Sequence, residues 1–146
     1  MRESGVWIYG VVNLGHILGV SSLFGAVLLL DLRLLGCWRG IPLASISTPA
    51  VRLARAGFSV AATTGICLLA TKATEYEGNP FLWWIKLPAI ALALVNIAVL
   101  ELTPAWRQHQ LRELSGREQA RLRWFGGLSL LCWLTAVAAG RMTAYW

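Results

Sequence analysis

The sequence predicts an all-α integral membrane protein: a four-helix bundle that forms one transmembrane domain over residues 1–146. Hydrophobic residues make up 57% of the chain and charged residues only 14%, against about 25% in soluble globular domains. The apolar residues gather in four runs, each near the roughly 20 residues that a helix needs to cross a bilayer. Most charged residues lie between these runs, which is typical of multi-pass membrane proteins.

The four spans are expected at about residues 6–30, 56–73, 81–102 and 124–144. The first is almost entirely apolar and ends abruptly at Asp31. The second is short, so we expect it to reach Lys72, whose ammonium group would extend to the interface. The third carries Trp83 and Trp84 near its start, where aromatic side chains contact lipid head groups. The fourth contains Arg141 near its end.

The connectors between the spans predict the orientation. The first connector, residues 31–55, contains Pro42 and Pro49, which we expect to break any long helix there. The third, residues 103–123, is expected to form a short amphipathic helix on the membrane surface, anchored by Trp106. These two connectors hold Arg33, Arg39, Arg52, Arg55, Arg107, Arg112, Arg117, Arg121 and Arg123. The positive-inside bias therefore predicts that both connectors are cytoplasmic and both termini lie on the outer, periplasmic side of a bacterial inner membrane.

Charge and cysteine usage narrow the class of protein further. A net charge of +6 suggests a nucleic-acid partner in a soluble protein, but here the charges lie where topology signals lie. We therefore expect contact with the lipid bilayer and no nucleic acid. The three cysteines, Cys37, Cys67 and Cys132, are widely spaced without a Cys-x-x-Cys motif. We interpret them as small apolar side chains, with a metal or redox role as the alternative.

A single histidine, His16, lies near the middle of the first apolar run. At about 1.5 Å per residue it is ~15 Å below Val6, close to the bilayer midplane. Ionisable side chains at that depth are typically functional, so we interpret His16 as a metal ligand or a proton-transfer group. The alternative is a packing histidine bonded to Asn13, Ser22 or a neighbouring carbonyl. Asn13 and Gly19 share its side of the helix.

Two cations lie at the predicted outer ends of later spans. Lys86 is ~9 Å below Pro80 and Arg141 is ~8 Å from the C-terminus at helical rise. Haem b has matching chemistry, because its iron binds imidazole, its propionates bind Lys or Arg, and its flat ring packs on small residues. The alternative is that both cations extend to lipid head groups. The predicted cofactor-binding residues are His16, Lys86, Arg141, Gly19 and Asn13, with His16 as the metal ligand.

Other polar and aromatic residues have simpler expected roles. Glu101 and Asp31 lie near the cytoplasmic ends of their spans, where we expect interfacial salt bridges. Asn96 is expected to hydrogen-bond between helices. His109 lies in the arginine-rich third connector and is expected to be solvated. Trp133, deep in the fourth span, is either a packing residue or part of the wall of a cofactor or quinone cavity.

Short motifs along the chain resemble a known group of proteins. The motifs His16-Ile-Leu-Gly19 and Asp31-Leu-Arg-Leu-Leu-Gly36 resemble an uncharacterised bacterial family of small four-helix membrane proteins. That family is similar to the CopD copper-resistance proteins and the HemJ-type protoporphyrinogen oxidases. Further matches are Arg55-Ala-Gly-Phe58, Thr64-Gly65, Tyr76, Asn79-Pro80, Lys86-Leu87, Asn96, Gly140-Arg141 and Ala144-Tyr145.

The resemblance implies a bundle that binds haem b. In HemJ-like relatives a first-helix histidine and a third-helix lysine act as a pair, and the matching positions here are His16 and Lys86. This chain departs from the pattern at Glu101, where relatives often have a histidine. His109 cannot readily reach the depth of His16, so bis-histidine ligation within one chain is not expected.

Two functions follow as expectations. The first is a small membrane protein that binds haem b and takes part in redox or electron transfer. Quinone is a candidate reactant, other membrane subunits or a homo-oligomer are candidate partners, and HemJ-type oxidoreductase activity is left open. The alternative is a non-catalytic structural subunit of a larger membrane complex without its own cofactor. The faces with small residues at four-residue intervals favour this alternative.

Overall fold

The computed structural model describes residues 2–71, 73–143 and 145, the side chains of 2–6, 75 and 76 excepted, and this part of the chain is all-helical. Lys72 and Ala144, both named in the sequence predictions, lie outside the described residues. The helices are α1 (Arg2–Leu35), α2 (Leu43–Thr71), α3 (Ala73–Tyr76), α4 (Leu87–Leu102), α5 (Pro104–Gln108) and α6 (Gly116–Met142). A π-helical segment, Phe81–Lys86, leads directly into α4.

Four helices are long and apolar enough to cross a membrane, which indicates a multi-pass membrane protein. They are Trp7–Leu35, Leu43–Thr71, Phe81–Leu102 and Gly116–Met142. The second begins well before residue 56 and contains Pro49, which was expected to break it. A proline removes only one backbone hydrogen bond, and packing of α2 along α1 keeps this helix continuous.

The long helices pack in the order α2–α1–α6–α4. Helix α1 contacts α2 and α6, while α6 contacts both α4 and the π-helical segment. Helices α2 and α4 share hardly any contact, so they flank a groove. One apolar cluster includes Leu23, Val27 and Trp133, and a second surrounds Leu34 and Leu122 near the arginine-rich connectors. The bundle is therefore open along one side.

The contact between α1 and α2 depends on two glycines. A Cβ on Gly19 would lie 2.7 Å from the backbone N of Ala61, and a Cβ on Gly57 would lie 2.6 Å from that of Leu23. Neither distance is sterically possible without movement of backbone. The small residues therefore let the two helices approach to backbone contact, as such residues do in membrane proteins.

The end of α1 is set by Gly36. The Cys37 N–H donates to the Leu32 carbonyl and the Gly36 N–H to the Arg33 carbonyl, the pair of bonds of a Schellman motif. This motif needs a left-handed residue after the helix, and Gly36 has a φ of 113°. Glycine adopts that conformation without the steric cost of a Cβ.

The π-helical segment has a cause in the sequence. Pro88, at the start of α4, has no N–H and cannot continue the regular pattern of backbone bonds. The preceding Leu87 N–H donates to the carbonyl of Leu82, five residues back. Irregular helix geometry is typical of prolines, and π-helical turns are frequent at functional positions. Here the π-helical segment ends at Lys86.

The expectation that His109 is solvated is wrong. Its side chain is only 8% exposed, and its Nδ1–H donates to the carbonyl of Trp106. With that proton assigned, its Nε2 accepts from the Ser47 hydroxyl at 2.7 Å. His109 therefore joins the third connector to the start of α2, a contact between residues far apart in the sequence.

Candidate functional site

His16 lies on α1 and faces α2. Its Nδ1 is 2.9 Å from the carbonyl oxygen of Ala61 and 3.2 Å from the Thr64 hydroxyl oxygen. A carbonyl oxygen can only accept, so Nδ1 carries the proton and donates it to Ala61. In the neutral ring this leaves a lone pair on Nε2. This hydrogen bond is equally consistent with the alternative interpretation, in which His16 is a packing residue bonded to a neighbouring carbonyl.

A glycine on α2 makes room for the imidazole. A Cβ on Gly65 would lie only 3.0 Å from Cε1 of His16. Any larger residue there would push against the ring unless it moved. Thr64 therefore places its hydroxyl oxygen within hydrogen-bond distance of His16. Gly65 leaves the space that the imidazole ring occupies.

Lys86 ends the π-helical segment and lies near His16. It is half-buried, and its aliphatic carbons and Nζ pass over Gly140 of α6, where a Cβ would lie 3.5 Å from Nζ. His16 and Lys86 interact electrostatically. Two of the residues that the sequence predicted for one site therefore lie within electrostatic reach of each other.

The other three predicted site residues have different surroundings. The Arg141 guanidinium is exposed, donates to the Tyr145 hydroxyl and lies 4.7 Å from the centre of that ring. Gly19 is buried against α2, where it serves the helix contact described above. Asn13 is half-buried on α1, one turn before His16. Of these three, Gly19 shares a neighbour with His16, since both approach Ala61 on α2.

The residues present fit one part of a haem site. Histidines that bind metals usually donate their second ring N–H to a carbonyl or carboxylate, and His16 has this arrangement with Ala61. Lys86 supplies a positive charge of the kind that a propionate requires. Within the described residues, no group of three or more His, Cys, Asp or Glu could hold a metal ion. The residues therefore fit one imidazole ligand and one cation of such a site.

The groove between α2 and α4 forms a second feature, with a cavity of about 490 Å³. Four aromatic side chains contribute to its walls: Phe58, Trp106, Phe125 and Trp133. Trp133 is 4% exposed, and its Nε1–H has no hydrogen-bond partner among the described residues. Asp31 also lines the groove beside Ser129 and is 3% exposed, and among the described residues its Oδ2 has no hydrogen-bond partner. Both unpartnered atoms are costly in a membrane interior.

Asp31 corrects a prediction from the sequence. It was expected in an interfacial salt bridge, but no carboxylate–arginine pair involving Asp31 occurs in the described part of the chain, and its carboxylate lies in the groove beside Ser129. The periodicity of α1 could have indicated its burial, because Asp31 lies on the same face as Val27 and Leu34. No local sequence pattern indicates that Ser129 of α6 lies beside Asp31.

Two other predicted contacts are confirmed at the edges of the groove. Glu101 pairs with Arg55 at 2.7 Å, which joins α4 to α2 at the end of the groove nearest the connectors. Asn96 donates from Nδ2 to the Phe125 carbonyl at 3.0 Å and so joins α4 to α6. Trp133 lines the groove, which is one of the two roles expected for it from the sequence. The groove has a polar end at Arg55 and Glu101 and a largely apolar wall.

Comparisons with protein-family models, with curated proteins and with solved structures found no match to this chain. Nothing in them links it to the CopD or HemJ-type families. What the protein does must therefore be inferred from its own residues.

Proposed function

We propose that this protein binds haem b through His16 and transfers electrons in a bacterial inner membrane. The observation that carries the proposal is the hydrogen bond from Nδ1 of His16 to Ala61, which leaves Nε2 available as a ligand. Haem, when bound, supplies one-electron redox chemistry. The chain would orient the imidazole through Ala61 and Thr64.

Cations and small residues complete the proposed haem site. Lys86 would bind one propionate, and Arg141 would bind the other after leaving Tyr145. Gly19 and Asn13 remain candidate neighbours of the ring from the first helix. The pairing of His16 with Lys86 follows the HemJ-type resemblance, and oxidation of a porphyrinogen is the activity that this resemblance would add.

Orientation is part of the same proposal. The arginine-rich connectors would face the cytoplasm, and both termini would face the periplasm. His16 and Lys86 would then lie in the outer half of the bilayer, while the groove with Asp31 would lie in the inner half. The two features would be separate sites on one bundle.

The groove is the proposed site for a quinone that exchanges electrons with the haem. Its volume lies within the 300–1,000 Å³ typical of small-molecule sites. Aromatic walls suit a flat ring, while Trp133 Nε1–H could donate to a quinone oxygen and Asp31 could accept from a quinol hydroxyl. The open side between α2 and α4 would admit a ligand from the lipid.

An absorption spectrum tests the haem proposal. Protein expressed with supplied haem and purified in detergent should have a Soret band, and His16→Ala should abolish it while circular dichroism stays unchanged. His109→Ala is the matched control, because it removes the chain's other histidine and should retain the band. Absence of a Soret band in the wild type would overturn the proposal.

A structural subunit of a larger complex is the second candidate. The observation that favours it is the sparse contact between α2 and α4, which the Arg55–Glu101 pair joins at one end of the groove, since a partner helix could fill the space beside that pair. Purification from native membranes in mild detergent tests this directly. A stoichiometric membrane partner without haem would favour the subunit, whereas a monomer with haem would exclude it.

A further inference from the structure

A second cavity, of about 390 Å³, lies at the arginine-rich end of the bundle. Its walls come from the α1–α2 connector, the segment after α5 and the first turns of α6. Four arginines line it: Arg33, Arg39, Arg112 and Arg123. Glu113 is the one acidic residue in this lining. The groove and the His16 site are not part of this cavity.

Among the described residues, one of these four arginines has an acidic partner. Arg112 donates to both oxygens of Glu118, at 2.6 and 3.0 Å, so its charge is compensated and its pKa is raised by that bond. Arg33 donates from Nε and Nη2 to the Ile41 carbonyl, at 3.0 and 2.8 Å. A carbonyl orients the guanidinium but carries no net charge, so the positive charge of Arg33 remains.

Arg39 and Arg123 also retain their charge. No carboxylate in the described part of the chain forms an ion pair with either. The guanidinium of Arg39 lies over Gly36, where a Cβ would approach its Nη2 to 3.0 Å. The left-handed glycine that ends α1 thus leaves the space that this guanidinium occupies. Three arginines that form no ion pair with a described carboxylate therefore line one cavity.

We propose that this cavity binds a phosphate group, either the head group of an anionic phospholipid or a free phosphate. Guanidinium groups bind phosphate oxygens through paired, charge-assisted hydrogen bonds, and several together match its charge. Basic pockets between membrane helices on the cytoplasmic side are typical sites for anionic lipid head groups. Phosphate binding in this cavity requires neither haem nor quinone.

Matched double variants test the pocket. Arg39→Gln with Arg123→Gln removes two uncompensated charges from the cavity. Arg117→Gln with Arg121→Gln removes the same charge from exposed positions on α6 that do not line it. Purified protein in detergent is titrated with phosphatidylglycerol, phosphatidylcholine or inorganic phosphate, and binding is followed by native mass spectrometry. Circular dichroism and the melting temperature check that both variants fold.

The expected result is specific to the cavity. Wild type should bind phosphatidylglycerol or inorganic phosphate, and the cavity variant should lose about tenfold or more in affinity while the control loses about threefold or less. Binding of phosphatidylglycerol without competition from inorganic phosphate would identify a lipid head group as the source. Binding of inorganic phosphate alone would identify a soluble phosphate. Equal losses in the two double variants, or no binding by the wild type, would overturn the proposal.

Discussion

Single residues decide how closely the helices of this protein approach. Gly19 and Gly57 bring the backbones of α1 and α2 into contact, and Gly65 leaves room for His16. Asp31 and Trp133, by contrast, each bury a polar atom that forms no hydrogen bond with the described residues. At this scale the molecule combines tight packing on one side of α1 with unsatisfied polar groups on the other.

Gly19→Ala should destabilise the protein by about 1–3 kcal/mol, because the added Cβ would meet the Ala61 backbone at 2.7 Å. Gly25→Ala is the control, since a Cβ at Gly25 has nothing within 4 Å. Alanine also favours helix, so the control should be neutral or slightly more stable. Thermal unfolding in detergent measures both, and equal effects would contradict the role of Gly19.

Trp133→Phe separates packing from ligand binding. The Nε1–H makes no hydrogen bond to a described residue, so the cost of Trp133→Phe should come only from the smaller ring and stay within about 2 kcal/mol. Trp133→Ala should cost about 3–5 kcal/mol, because it empties a well-packed core position. If the groove binds quinone, Trp133→Phe should weaken binding of a short-tail quinone while stability holds. Unchanged quinone affinity would remove Trp133 from the proposed site.

At the scale of elements, helix ends and irregular segments position the functional residues. The Schellman motif at Gly36 turns the chain beside Arg39, and the π-helical segment ends at Lys86. Helix α6 begins with a capping box in which the Ser115 side chain accepts from the Glu118 N–H and the Glu118 side chain accepts from the Ser115 N–H. The capped start extends α6 beyond the span predicted from residue 124.

Ser115→Ala should cost about 0.5–2 kcal/mol, since it removes one half of the capping box. Thr63→Ala serves as the control, because that exposed hydroxyl donates only within its own helix. The expected change for the control is within about 0.5 kcal/mol. Thermal unfolding compares the two, and a loss at Thr63 equal to that at Ser115 would show that the cap contributes nothing.

At the scale of the molecule, the four long helices form a row that is open between α2 and α4. The arginine-rich connectors lie at one end, with the proposed phosphate pocket, and His16 lies toward the other. The positive-inside bias predicts which end is cytoplasmic, and the free cysteines offer a test. Cys37 is exposed in the first connector, whereas Cys67 lies within α2 and Cys132 is buried.

A membrane-impermeant maleimide should label Cys37 in inside-out vesicles and leave it unlabelled in intact spheroplasts. The reason is the proposed cytoplasmic position of the first connector. Cys37→Ala should abolish the labelling, since the other two thiols lie within helices that could span the bilayer. Labelling in spheroplasts at the level seen in inside-out vesicles would reverse the proposed orientation.

Much of the architecture could be predicted from the sequence because it depends on local composition. Apolar runs of bilayer length predict the long helices, and the depth of Asn96 and Glu101 predicts the kind of contact each makes. Pro49 misled the prediction of α2, since one missing hydrogen bond matters less than packing along α1. The prediction that His109 is solvated was also wrong. Its connector is polar, but its own side chain is enclosed by Trp106 and Ser47.

The sequence by itself therefore determined the helical class, the membrane character and the concentration of arginines in two connectors. These properties depend on residues that are close together in the sequence. Only the tertiary structure decided that His16 donates to Ala61, that Asp31 and Ser129 line one groove, and that three arginines without an acidic partner among the described residues line one cavity. Each of these contacts joins helices or connectors whose relative positions depend on side-chain packing, and no local pattern specifies that packing.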